Sequence, residues 1–106
     1  MLLNYVNLSG TGTETLSAAL TDGSTKTITR LLICNRDSTA ITASLWLQNA
    51  GGDIYYIIRN VEIESGYTLD VLDGDPLVYN DTYNLNASLG DAGYVADVII
   101  NETRTH

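Results

Sequence analysis

The sequence predicts an all-β protein, a single β-sandwich or jelly-roll-like domain of about eight antiparallel strands. Turn signals recur at intervals of roughly ten residues. They fall at Gly10-Thr11-Gly12, Asp22-Gly23, Asn35-Arg36-Asp37-Ser38, Asn49-Ala50-Gly51-Gly52-Asp53, Glu64-Ser65-Gly66, Asp73-Gly74-Asp75-Pro76 and Gly90-Asp91-Ala92-Gly93. The stretches between them are β-forming, and no segment sustains a helical apolar period. Residues 1–106 read as one domain, large enough to bury a core without disulfides or metals.

Taken in order, residues 1–12 are an N-terminal arm or an edge strand, with weak alternation from Leu3 to Leu8. Thr13 to Leu20 follows, with Leu16 and Leu20 on one face. In Lys26 to Asn35 the run Leu31-Leu32-Ile33-Cys34 breaks the alternation begun at Ile28, which predicts a bulge or burial on both faces. Ala40 to Gln48 alternates cleanly: Ile41, Ala43, Leu45 and Leu47 face one way, and Trp46 lies among Thr42, Ser44 and Gln48 on the other. Asn49 to Asp53 is a hairpin loop in which Gly51 and Gly52 supply positive φ. Ile54 to Glu62 returns with Ile54, Tyr56 and Ile58 on one face and Tyr55, Ile57 and Val61 on the other.

Tyr67 to Leu72 places Tyr67, Leu69 and Val71 inward. After Pro76 come Leu77-Val78-Tyr79 and then Thr82 to Leu89, with Tyr83, Leu85, Ala87 and Leu89 inward. Tyr94 to Asn101 closes the domain with Tyr94, Ala96, Val98 and Ile100 on one face and Val95 and Ile99 on the other. Residues 102–106 read as a polar tail. The Ile54–Glu62 and Tyr94–Asn101 segments are apolar on both faces, more than a small two-layer domain can cover alone. That points to assembly as well as fold.

Thirteen acidic against five basic residues give a net charge of -8. Such a field repels nucleic acid and suits a basic partner surface or divalent cations. No apolar run reaches the ~20 residues of a membrane span. Met1-Leu2-Leu3-Asn4-Tyr5 lacks the basic n-region of a signal peptide, so synthesis in a cytoplasm is expected. Cys34 is alone and reads as a buried structural thiol.

Catalytic chemistry finds little footing. His106 is the one histidine and the last residue, where a base is not held rigidly against a nucleophile. One Cys and one His do not make a zinc site. The acidic run Asp70-Val71-Leu72-Asp73-Gly74-Asp75, followed by Asp81, offers Asp73 and Asp75 as calcium ligands, against the plainer reading of a turn. No catalytic residue, cofactor or metal site is assigned. Seven tyrosines and one tryptophan with no phenylalanine favour side chains that join apolar area to a polar tip, as interfaces do. Trp46, Tyr55, Tyr56, Tyr79 and Tyr83 are the interface candidates, with stacking on sugar rings as the alternative use.

Two stretches carry a family resemblance. Ile28-Thr29-Arg30-Leu31-Leu32-Ile33-Cys34-Asn35 and Ala43-Ser44-Leu45-Trp46-Leu47 lead through Gly51-Gly52 into Tyr55-Tyr56-Ile57-Ile58-Arg59-Asn60-Val61. Ile63-Glu64-Ser65-Gly66-Tyr67-Thr68-Leu69 then precedes the acidic turn and Leu77. The pattern, over roughly residues 26–100, resembles small β-sandwich virion proteins of tailed bacteriophages. These serve as capsid decoration (cement) subunits or as neck- or tail-attached subunits. The resemblance implies a non-enzymatic structural role in the virion and a homo-oligomer, with a trimer favoured. It also implies binding to capsid, neck or tail proteins, with edge strands or the N-terminal arm adding to a neighbour's sheet.

Overall fold

A computed structural model describes residues 2–20 and 23–105. Asp22 of the expected second turn and His106 lie outside the described residues. Nine strands follow in order: β1 (Leu2–Ser9), β2 (Glu14–Ser17), β3 (Thr25–Asn35), β4 (Ile41–Gln48), β5 (Ile54–Ile63), β6 (Thr68–Asp70), β7 (Leu77–Asn80), β8 (Asn84–Leu89) and β9 (Val95–Thr105).

The strands form two antiparallel sheets. One has the order β1-β9-β3-β6, with β7 also paired to β3; the other runs β2-β8-β4-β5. Leu32–Cys34 of β3 pairs with β6 and Thr25–Ile28 pairs with β7, so β6 and β7 line one edge as a single strand interrupted at the acidic turn. The interruption accounts for nine strands where about eight are expected. With those two strands counted as one, the path is that of a jelly roll.

The core lies between the sheets. Ile28, Leu31, Ile33, Val98 and Ile100 of one meet Ile41, Leu45, Leu85 and Leu89 of the other, all buried. Each such side chain contributes about 1.5–3 kcal/mol by leaving water. The break in alternation in β3 is a bulge, for its register against β9 shifts between Ile28 and Arg30. In β4 the expected faces hold, with Ile41, Ala43 and Leu45 buried in the core.

Strand β5 departs from simple alternation. Its register against β4 shifts twice, between Ala43 and Leu45 and between Leu45 and Trp46. A bulge lets successive side chains share a side, and Ile57 and Ile58 both pack against the core as a result. Several other expectations need correction. Residues 102–105 are not a tail: they extend β9 against Thr25–Ile28, because backbone pairing needs no apolar side chains. Tyr67 is exposed, since Gly66 at φ 74° turns the chain just ahead of β6 and Tyr67 belongs to that turn. In the β4–β5 loop Gly52 alone takes positive φ, at 89°, while Asn49 and Asp53 close the loop by mutual hydrogen bonds. Cys34 is only half-buried, opposite Asp97 and Thr68 on the outer face.

Candidate functional site

The interface candidates separate into two groups. On the outer face of the β2-β8-β4-β5 sheet, Trp46 is covered from the β5 side by the Tyr56 ring, with centroids 5.9 Å apart and planes at 55°. The Arg59 guanidinium lies 4.9 Å from the Tyr56 centroid, a cation–π contact. The Trp46 indole N–H donates to Gln48 Oε1 at 3.3 Å, and Asn86 Nδ2 donates to the same oxygen at 3.3 Å. Thr15 then donates to Asn86 Oδ1 at 3.1 Å. A connected row from β2 to β5 results, and Trp46 is left 8% exposed within it.

Tyr55 stands opposite Leu47 and meets Tyr83 edge-on, with centroids 6.0 Å apart and planes at 77°. Ile54, Tyr55 and Tyr56 are 45%, 54% and 47% exposed, so the start of β5 presents an apolar, aromatic rim to solvent. Trp46 and Tyr79 do not belong to that rim. Trp46 is buried with Tyr56 at its flank, and Tyr79, 7% exposed, points into the sandwich from a position opposite Lys26. Tyr79 and Tyr83, grouped by their closeness in sequence, form no ring pair among the described residues.

Tyr79 belongs to a buried polar cluster at the end of the sandwich where β2 gives way to β3. Lys26, 1% exposed, donates through Nζ to Ser17 Oγ at 2.9 Å and to the Ala18 carbonyl. Ser17 in turn donates to a Glu102 carboxylate oxygen. Asp81, also buried, accepts the Ser24 N–H at 3.0 Å just ahead of β3. The Tyr79 hydroxyl closes no hydrogen bond of good geometry among the described residues. Burial pushes its phenol up to about 12; Ser17 pulls the other way and the Glu102 charge adds to the rise. These groups are packed shut, and the arrangement acts as a polar joint between strands.

The acidic turn is organised by its own backbone. Asp70 Oδ1 accepts the Asp73 N–H at 3.2 Å, and the Asp75 N–H donates to the Leu72 carbonyl at 3.0 Å. Asp73 at φ 49° and Gly74 at φ 90° complete the reversal. Among the described residues no three carboxylate, thiol or imidazole groups gather as a metal site.

The residues of the family-like pattern have structural work in this fold. Asn35 is buried at the end of β3, donating through Nδ2 to the Thr39 and Ile63 carbonyls while its Oδ1 accepts the Asp37 N–H. It ties the β3–β4 loop to the end of β5. Arg59 and the inward Lys26 escaped the sequence reading. Lys26 shares the parity of Ile28, a usable signal, whereas Arg59 reaches Tyr56 through a bulge that composition does not announce.

No family model, curated protein or solved structure matches this chain. Fold and surface together define a jelly-roll domain with an exposed aromatic rim on one edge strand.

Proposed function

We propose that this chain is a non-enzymatic structural subunit of a tailed-phage virion, a capsid decoration (cement) protein or a closely related neck- or tail-attached subunit. The observation that carries this reading is the exposed rim Ile54, Tyr55 and Tyr56 on edge strand β5. Aromatic and aliphatic side chains gathered at a sheet edge are what an assembly interface uses. The charge of -8 suits a basic shell surface and helps free subunits stay soluble. Many copies on a symmetric lattice would hold by avidity without strong single contacts.

The test is cosedimentation of the purified chain with phage heads and with isolated tails, followed by negative-stain imaging of the labelled particles. Binding that falls on Tyr55→Ala with Tyr56→Ala supports the reading. No binding to either particle overturns it.

One observation favours a carbohydrate- or receptor-binding use instead. Tyr56 is exposed and meets the Trp46 ring, whose indole N–H reaches the Gln48 amide that Asn86 also holds. Stacking would then fall to Tyr56, since Trp46 is buried. Glycan-array binding abolished by Tyr56→Ala would establish that alternative.

A further inference from the structure

Of the sheet edges, three carry features that discourage pairing with another chain. Strand β2 has four residues and a register shift between Thr15 and Ser17. Strand β5 has two register shifts and the charges of Arg59 and Glu62. The β6/β7 edge is broken into pieces of three and four residues, with Pro76 leading into the second. Short, bulged, charged or proline-bearing edges are how sheets avoid adding strands.

Strand β1 has none of these features. Its eight residues, Leu-Leu-Asn-Tyr-Val-Asn-Leu-Ser, contain no charge and no proline, and they pair with β9 in unbroken register from Leu2↔Glu102 to Ser9↔Val95. Just beyond, the Gly10 N–H donates to the Tyr94 carbonyl at 2.9 Å. Antiparallel alternation from that bond leaves the N–H and C=O groups of Leu3, Tyr5, Asn7 and Ser9 on the free edge.

From this contrast we infer that β1 is a strand-pairing interface and that its occupant is β1 of a second copy, antiparallel about a two-fold axis. Pairing of β1 with a different edge of the same protein would need another receptive edge, and the others are blunted. The seam is also where two negatively charged subunits meet without opposing charges. Tyr5, 70% exposed, stands beside Ile99, which stands beside Leu32, so pairing would continue this apolar row from one copy into the next. The result is one sheet spanning two subunits, a two-fold pair in place of the trimer implied by the family resemblance. It does not depend on the virion reading.

Light scattering on the full chain across a concentration series tests this, with Asn7→Pro and Tyr5→Lys as variants. Asn7→Pro removes an edge N–H that β9 does not use, a position where proline is tolerated. Tyr5→Lys sets like charges along the seam. The wild type is expected at the mass of two chains, and each folded variant at one, with a dissociation constant raised by about tenfold or more. A β-type circular dichroism spectrum equal to the wild type certifies folding, and Tyr5→Lys decides alone if Asn7→Pro does not fold. A wild-type mass of one or three chains overturns the inference, as does a two-chain mass that survives the folded variants.

Discussion

The Ser44 hydroxyl oxygen accepts the backbone N–H of Asn60 at 2.9 Å, across the bulge where β5 loses step with β4. Asn60 sits at φ 51°, a left-handed conformation that asparagine tolerates better than branched residues. The serine thus supplies the acceptor that the shifted strand would otherwise lack. Ser44→Ala should cost about 1–2 kcal/mol, and Asn60→Val more than Asn60→Gly. Urea unfolding of the three variants measures the order.

A second close fit joins β4 to the end of β8. The Gly90 N–H donates to the Thr42 carbonyl at 3.0 Å, and a β-carbon on Gly90 would fall on the Thr42 hydroxyl. Gly90→Ala is expected to destabilise by about 1–3 kcal/mol, the usual cost of overpacking. Thr42→Ala should recover most of that loss in the double variant while changing little alone. Additive losses in thermal denaturation would refute the contact.

Tyr79 makes stability fall in alkali. Its folded pKa of about 12 lies above the unfolded value of 10.0, so between those limits the unfolded chain binds fewer protons than the native one. The contribution is complete below pH 10.0 and disappears as pH rises towards 12, an amount of at most about 3 kcal/mol. Tyr79→Phe removes a hydroxyl without a good partner, so stability at pH 8 should be unchanged or higher. The Tyr79 share of the alkaline loss should vanish in that variant. Urea midpoints for both proteins at pH 8 and pH 11 measure it.

Lys26 is the counterpart in the same cluster. Lys26→Ala leaves Ser17 and the Ala18 carbonyl without their donor and opens a cavity, at an expected cost of about 3–5 kcal/mol. Lys26→Met keeps the volume and should cost less. Equal losses for the two in urea unfolding would place the whole effect in the ammonium group.

Trp46 is the only tryptophan, so its fluorescence reports on one place. Tyr56→Ala strips its cover on the β5 side and should shift the emission to the red and raise acrylamide quenching. Tyr83→Ala, at the other ring pair, should leave both unchanged.

The sheets were legible in sequence because alternation and turns write them directly. Ile41, Ala43 and Leu45 show this best: all three face the core, as parity requires. What parity could not show was its own interruption in β5, where Ser44 and Asn60 settle the step through a backbone contact between distant residues. The same limit hid the site. Trp46 stood out correctly as the odd residue on a polar face, yet its cover is Tyr56, placed by pairing across the hairpin. Residues 102–105 misled in the opposite way, for their polarity concealed a strand held by its backbone.

The path of β9 bears on how the chain is made. It lies between β1 and β3, the first and third of the nine described strands in chain order, and it is the last of the nine to be synthesised. Until it emerges, Leu31 and Ile33 have no Val98 or Ile100 beside them, and the N-terminal strand has no sheet to join. The sheet therefore stays part-assembled, with apolar edges open, until β9 is made. Loss of β9 would cut β1 off from β3 and its edge partners β6 and β7, so a product stalled before β9 is a ready client for chaperones or proteases.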